Sequence, residues 1–412
     1  MDPAAEPLLA GGFDVRLIGF SALDRFCGLR PAPYRFAATS ADLVDLAKAF
    51  DQLRFPGVDL ADAAVEIAEA SSAAAGAAPV QAEAATWYWL AGDAPRPIFP
   101  VLAFAWDFRR RAYRDDSGLY PIVRYLRDAK RLPEAADPGL PVWFDGTPLD
   151  GGADFYRAAG EAALLLSRYR GGAPAGDAPE AASAQPAVRR LALALRGAGR
   201  FRRPGTEEQR RLLSLLITSR RPDLGLALLA ATGYVSEVWP ELAELDEVDH
   251  AKEFHPEGNV WSHTLETFRY RKIHDLTLGL GLLLHDAGKP AAEGAGPRRF
   301  DQHAEIGDAV AGRFLRRLGF PPALIADVGW LVRHHMLPAA LPRLPLTRSR
   351  PALESPLFPL LLELYRCDEA SSFKGLDGFY DSCAAYRAYL KNVANPYRAP
   401  DGKRLLRRIL SD

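Results

Sequence analysis

The sequence predicts an α+β fold: a small mixed α/β head, then a mainly α-helical neck, then an all-α C-terminal domain. Three observations carry that reading. Short apolar runs bounded by Gly, Pro and Ser fill the N-terminal part, as strands and brief helices require. A Gly/Pro/Ala/Ser-rich stretch without periodicity, Gly171–Pro186, separates them from the C-terminal half. Beyond it, apolar residues recur at helical spacing almost without interruption. The expected boundaries are 1–170 for the head, 171–187 for the linker, 188–248 for the neck and 249–412 for the last domain.

In the head, Val15–Gly19 is apolar and ends in Gly, which predicts a buried strand. Ser21–Cys27 predicts a short helix and Tyr34–Ala38 a second strand. Ser40 reads as the N-cap of a helix that presents Leu43, Leu46, Ala47 and Phe50 on one face. Ala61–Ala85 is Ala-rich and weakly specified, whereas Thr86–Leu90 and Pro100–Trp106 have strand character. In the second half, helices are expected over Glu207–Thr218, Asp223–Thr232, Val260–Arg271, Leu276–His285, His303–Leu318, Pro322–His335, Pro356–Cys367 and Tyr380–Val393. Pro338–Pro351 reads as a connector.

Composition excludes several classes. Of 412 residues, 48% are hydrophobic and 25% charged, ordinary values for a globular protein. A formal charge of −1 argues against a globally basic nucleic-acid binder, although local clusters remain. Three cysteines without C-x-x-C spacing make no disulfide framework and point to a reducing compartment. Leu276–Leu284 is too short to span a bilayer. With no signal-peptide pattern at the N-terminus, a cytoplasmic protein without a membrane partner is expected.

All eight histidines lie between His250 and His335, which chance scattering would not produce. Imidazoles interspersed with carboxylates suit a borderline divalent metal, because neutral nitrogen and anionic oxygen match its preference. His285-Asp286 close an apolar helix just before Gly288-Lys289-Pro290. Adjacent helical residues point about 100° apart, so an ion must sit in the wedge between them. His263 and Asp368 complete a four-ligand set, while His303 and His334 fit a second ion with Asp286 as bridge. Paired ions clamp a phosphate and activate water, which is phosphohydrolase chemistry. Asp286 is then catalytic as well as a ligand, and Lys289 and Arg333 are expected to donate to phosphate oxygens. His255 and His335 are read as substrate-facing or supporting residues, and His250 and His274 as surface residues. One or two ions are expected, with Mn, Ni, Co, Fe and Mg as candidates.

The segments from His255 to Leu265 (HPEGNVWSHTL), LLLHDAGKP, HAEIGDAVA and LVRHHMLP resemble the HD domain of bacterial tRNA nucleotidyltransferases, the CCA-adding enzymes and their poly(A) polymerase relatives. Ser219–Leu242 resembles that family's neck, and Asn395–Leu406 the start of its following segment. The resemblance covers about the last 210 residues. It implies metal-dependent phosphohydrolase chemistry with His263, His285, Asp286 and Asp368 as ligands.

The same family has an N-terminal nucleotidyltransferase head, and Gly19, Asp24, Gly28 and Thr39 fall in register with its pattern. Where the family carries Asp-x-Asp for two Mg²⁺ ions, this chain has Pro33-Tyr34-Arg35, and Phe20 replaces a Gly. Nucleotidyl transfer depends on metal clamping, so the head is expected to be degenerate. Arg109, Arg189, Arg196 and Arg200 offer positive charge for RNA. The expected activity is hydrolysis of a phosphate ester on a small molecule, nucleotide or RNA end, with tRNA as a further partner. The alternatives are a CCA- or A-adding nucleotidyltransferase and a non-catalytic RNA-binding protein with a structural metal.

Overall fold

The structure, a computed structural model, describes residues 2–27, 34–55, 61–69, 83–92, 104–115, 154–169, 186–248, 258–293, 300–372 and 375–392. The chain divides into two compact units, Met1–Leu149 and Asp150–Asp412.

In the first unit six strands, β1 Val15–Ile18, β2 Tyr34–Thr39, β3 Ala63–Glu69, β4 Glu83–Leu90, β5 Phe104–Asp107 and β6 Ala112–Asp115, form one sheet in the order β3-β4-β2-β1-β5-β6. β2 and β4 run parallel and every other pair is antiparallel. Alternation puts Leu17, Ala37, Trp87, Trp89 and Phe104 on one face, where all are buried. The helix Gly19–Cys27 covers that face, with Phe26 edge-on to Phe104 and Tyr113 at 5.6 and 5.0 Å. Gly19 turns the chain from β1 into this helix with φ +55°, which a side chain would oppose.

Two expectations for the head are corrected. The helix after β2 runs Leu43–Ala49 and is capped by Asp42, which accepts from the Asp45 amide, while Ser40 accepts from Asp14. Only Leu46 of its apolar residues is buried; Leu43 and Ala47 are exposed. β3 and β6 add two strands to those expected, since Ala-rich and Arg-rich segments carry little strand signal.

The second unit is helical. Phe155–Tyr169, expected in the head, packs instead on Pro222–Ala231, so the compact unit begins at Asp150 and not after 170. The linker 171–187 falls mostly outside the described residues, and the helix Pro186–Leu195 begins at its end. The neck helix Thr206–Ile217 is joined to the last domain by several contacts, among them Arg210 donating to the carbonyls of Leu318 and Gly319. Buried Arg271 donates to the carbonyls of Ile217 and Ser219. Gly279 leaves room for Ile217, whose Cγ2 would overlap a Cβ at that position. Pro338–Pro351 is not a bare connector: Leu337–Ala340 and Leu346–Leu353 are helical despite Pro351. No helix among the described residues is long and apolar enough to cross a membrane.

Candidate metal centre

Four helices and one helix end bring the histidines and aspartates together. Val260–Thr267 carries His263 and starts where the Asn259 side chain accepts from the Ser262 amide at 2.8 Å. Leu276–Leu284, capped by Asp275, is buried along nearly its whole length and delivers His285 and Asp286 just past its end. His303 opens His303–Arg317, and Phe300 and Gln302 before it both take left-handed backbone with φ near +60°. His334 ends Pro322–His334, and Asp368 lies in Phe358–Ala370. Gly288 allows the chain after Asp286 to pass His303–Arg317. A Cβ there would collide with the His303 carbonyl and with the Gly307 backbone nitrogen.

The side chains form two groups that share Asp286. Oδ2 of Asp286 faces His285 Nε2 at 3.2 Å and His263 Nε2 at 3.9 Å. Oδ1 faces His303 Nε2 at 3.7 Å and His335 Nε2 at 3.9 Å. Asp368 Oδ1 closes the first group, 3.0 Å from His263 Nε2 and 3.9 Å from His285 Nε2. In the second, the Nε2 atoms of His303 and His335 stand 3.1 Å apart. Ligands bonded at about 2.1 Å to one ion lie roughly 3.0–3.5 Å from each other, so these spacings suit a shared cation. His263, His285, Asp286 and His335 are each at most 2% exposed, whereas Asp368 and His303 retain 24% and 13% of their side-chain exposure.

The imidazole protons decide what the arrangement can hold. His285 Nδ1 is 2.8 Å from the Leu282 carbonyl, His303 Nδ1 2.8 Å from that of Phe300 and His335 Nδ1 2.7 Å from that of Val332. A carbonyl oxygen only accepts, so Nδ1 carries the proton and Nε2 of the neutral ring presents a lone pair. The Nε2 of His285 is buried with no hydrogen-bond partner. Burial pushes His335 down to about 4 and lowers His303 as well, which keeps both rings neutral at pH 7. Burial opposes ionisation of Asp286, but the carboxyl is held well below its usual range, with the Lys289 ammonium 2.6 Å away favouring the charged form. Buried lone pairs and carboxylate oxygens therefore face one another, an arrangement that repels itself until a cation lies between. Every facing donor is nitrogen or oxygen, which fits Mn²⁺, Fe²⁺, Co²⁺ or Ni²⁺ better than a thiolate-seeking metal.

Sequence reasoning is corrected at the pair of adjacent histidines. His335 joins the second group, and His334 turns away, with its Nδ1 on the Trp330 carbonyl at 2.8 Å and its ring stacked on Trp330 at 4.4 Å. Neighbours on a helix point roughly 100° apart, and here the stacking of His334 on Trp330, one turn earlier, holds that ring away from the group. Lys289 lies 2.6 Å from Asp286 Oδ2. The Arg333 side chain is 54% exposed and pairs with Asp308 at 3.6 Å. His274 is half-buried against the Ser219 carbonyl instead of lying on the surface. His250 and His255 lie outside the described residues.

In the head, Asp24 and Arg35 are buried, Arg35 in β2 on the same face as Thr39, and Pro33 lies outside the described residues. Arg109 is engaged by its own unit, donating to the carbonyls of Gly12 and Phe13 and facing Asp14. Arg189 and Arg196 are exposed, whereas Arg200 lies over the Phe155 ring and pairs with Glu237 at 2.7 Å.

Residues 260–369, which hold this donor set, match the HD domain family. Over 141 residues the chain is 33% identical to the CC-adding tRNA nucleotidyltransferase of Thermus thermophilus, covering 32% of each protein. It is 32% identical over 159 residues to the A-adding tRNA nucleotidyltransferase of Deinococcus radiodurans, covering 37% of this chain and 36% of that enzyme. The match thus spans about a third of the length of these relatives. A solved CCA-adding enzyme with CTP overlaps 95% of this chain and 81% of its own at 11% identity, with a TM-score of 0.33, too low a similarity to bear on function.

Proposed function

We propose that the helical unit is a metal-dependent phosphohydrolase acting on a phosphate monoester or diester, such as a nucleotide, a 2′,3′-cyclic phosphate or an RNA 3′ end, in the cytoplasm. The α/β head is then a nucleotidyltransferase relative that no longer polymerises. The observation that carries this reading is the convergence of Nε2 lone pairs, with their Nδ1 protons already used, on both oxygens of one buried carboxylate. His263, His285, Asp286 and Asp368 would hold one ion, and Asp286, His303 and His335 a second. Such ions supply activated water near neutral pH and neutralise charge gathering at phosphorus.

The chain's own groups do the rest. Asp286 turns one oxygen to each group and so ties them at a fixed spacing. Lys289, held against Asp286, brings a positive charge to a phosphate oxygen entering beside it. The partial exposure of Asp368 and His303 marks the side from which substrate enters, while buried His263, His285 and His335 exclude water from behind. Exposed Arg189 and Arg196 are the candidates for RNA contact. Purified protein with Mn²⁺, Co²⁺ or Ni²⁺ should hydrolyse a generic phosphodiester or phosphomonoester, and Asp286→Ala should abolish that activity. An Asp286→Ala enzyme running at the full rate would refute the assignment.

Nucleotidyl transfer is the second reading, favoured by the named activities of the two relatives. Against it stands the Pro33-Tyr34-Arg35 sequence, which places no carboxylate where that chemistry clamps its ions.

A further inference from the structure

Three of the imidazoles are fixed by carbonyls three residues earlier in the chain. His263 is held differently. Its Nδ1 lies 3.3 Å from the hydroxyl of Ser371, a buried residue just past the end of the helix that carries Asp368. That hydroxyl stands 2.7 Å from the Asp368 carbonyl. The carbonyl can only accept, so the hydroxyl proton points to it, and toward His263 the oxygen offers a lone pair. His263 then carries a proton on Nδ1, and in the neutral ring this leaves the Nε2 lone pair facing Asp368 Oδ1 at 3.0 Å.

We infer that Ser371 is a positioning residue for the metal centre, fixing His263 in the Nδ1–H tautomer and tying that ring to the backbone of Asp368. This role rests on the metal-site reading above and adds a residue that sets the competence of the first ligand group. Two tautomers compete. With Nδ1–H, Nε2 and Asp368 Oδ1 are two acceptors in contact, and a cation satisfies both. With Nε2–H, the ring donates directly to Asp368, both groups are satisfied without metal, and an ion must break that bond to bind. Ser371 keeps the site out of this self-satisfied state. A partner that orients a ligating imidazole from behind changes metal affinity by about 10–100-fold in known sites.

The test uses the full chain, with Mn²⁺ as probe and ¹⁵N-histidine labelling. In metal-free wild-type protein, the ¹⁵N shifts of His263 should report Nδ1–H. In Ser371→Ala they should move toward Nε2–H, and calorimetry should show Mn²⁺ binding to the first group weakened by about tenfold or more. Ser371→Thr, which keeps the hydroxyl, should restore both the tautomer and the affinity. A wild-type His263 already in the Nε2–H form, or a Ser371→Ala protein with unchanged tautomer and Mn²⁺ affinity, overturns the inference. Should Ser371→Ala not fold, the wild-type tautomer still decides. Failure of the wild-type protein to bind Mn²⁺ at all would sink the hydrolase reading instead, and the tautomer measurement keeps the two failures apart.

Discussion

The head and the helical unit both bury ionisable side chains at places suited to a search for metal chemistry, and they do so in opposite senses. In the helical unit, buried Asp286 gathers imidazole nitrogens around both its oxygens beside a second carboxylate, Asp368, with Lys289 as its salt-bridge partner, so the place is rich in metal-ligand atoms. In the head, the buried residue of β2 at the position in question is Arg35, which brings its own positive charge. A guanidinium has only donors, so Arg35 offers a divalent ion no ligand atom at that point of the strand. Burial alone therefore does not announce a metal site; the ligand atoms of what is buried do.

The largest effects expected are those that break the helical site. His335→Ala should lower metal-dependent hydrolysis by at least about 100-fold, the upper end of what losing even an outer partner costs. His334→Ala should stay within about twofold, because that ring packs on Trp330 and faces no ligand. Steady-state rates of the two variants side by side settle which histidine faces inward, and a reversed order would contradict the structure. The head supplies the complementary experiment. With tRNA lacking its 3′ end, labelled ATP and Mg²⁺, the protein should add no nucleotide, and a labelled product on a gel would restore the transferase reading.

A smaller effect is expected at Gly288, the crossing point that lets Asp286 meet His303. Gly288→Ala forces a methyl group against the His303 carbonyl and should cost about 1–3 kcal/mol, read as a lowered unfolding midpoint in denaturant. The smallest is a pH dependence in the metal-free protein. Burial holds His274 and His335 down to about 4, so both rings are neutral when folded and take up a proton near 6.5 when unfolded. Between those values the unfolded chain binds more protons. Their contribution to stability is thus fully present above about pH 6.5 and lost as the pH falls toward 4. Urea unfolding in EDTA at several pH values should show this slope, and His274→Gln should flatten it.

Much of the site was legible because its signal is local chemistry. The His285-Asp286 pair at the end of an apolar helix, followed by Gly288, already says that two ligands sit where backbone can adjust. The choice between His334 and His335 was not legible from the pattern alone, since neighbouring residues look equivalent until Trp330 takes one of them. Ser371 was invisible because a serine after a helix has many uses, and only the packing of two helices puts it behind His263. In the fold, strongly periodic helices such as His303–Arg317 were read to within a residue or two. Segments whose composition opposes their structure were not. β3 is rich in Ala, Leu346–Leu353 contains Pro351, and Phe155–Tyr169 joins the helical unit through packing that no periodicity reveals.

The most direct test is anomalous diffraction from crystals of the whole protein grown with Mn²⁺. The account predicts one peak among His263, His285, Asp286 and Asp368 and a second among Asp286, His303 and His335, with none beside Arg35 in the head. Ions absent from the helical unit, or bound in the head instead, would contradict it.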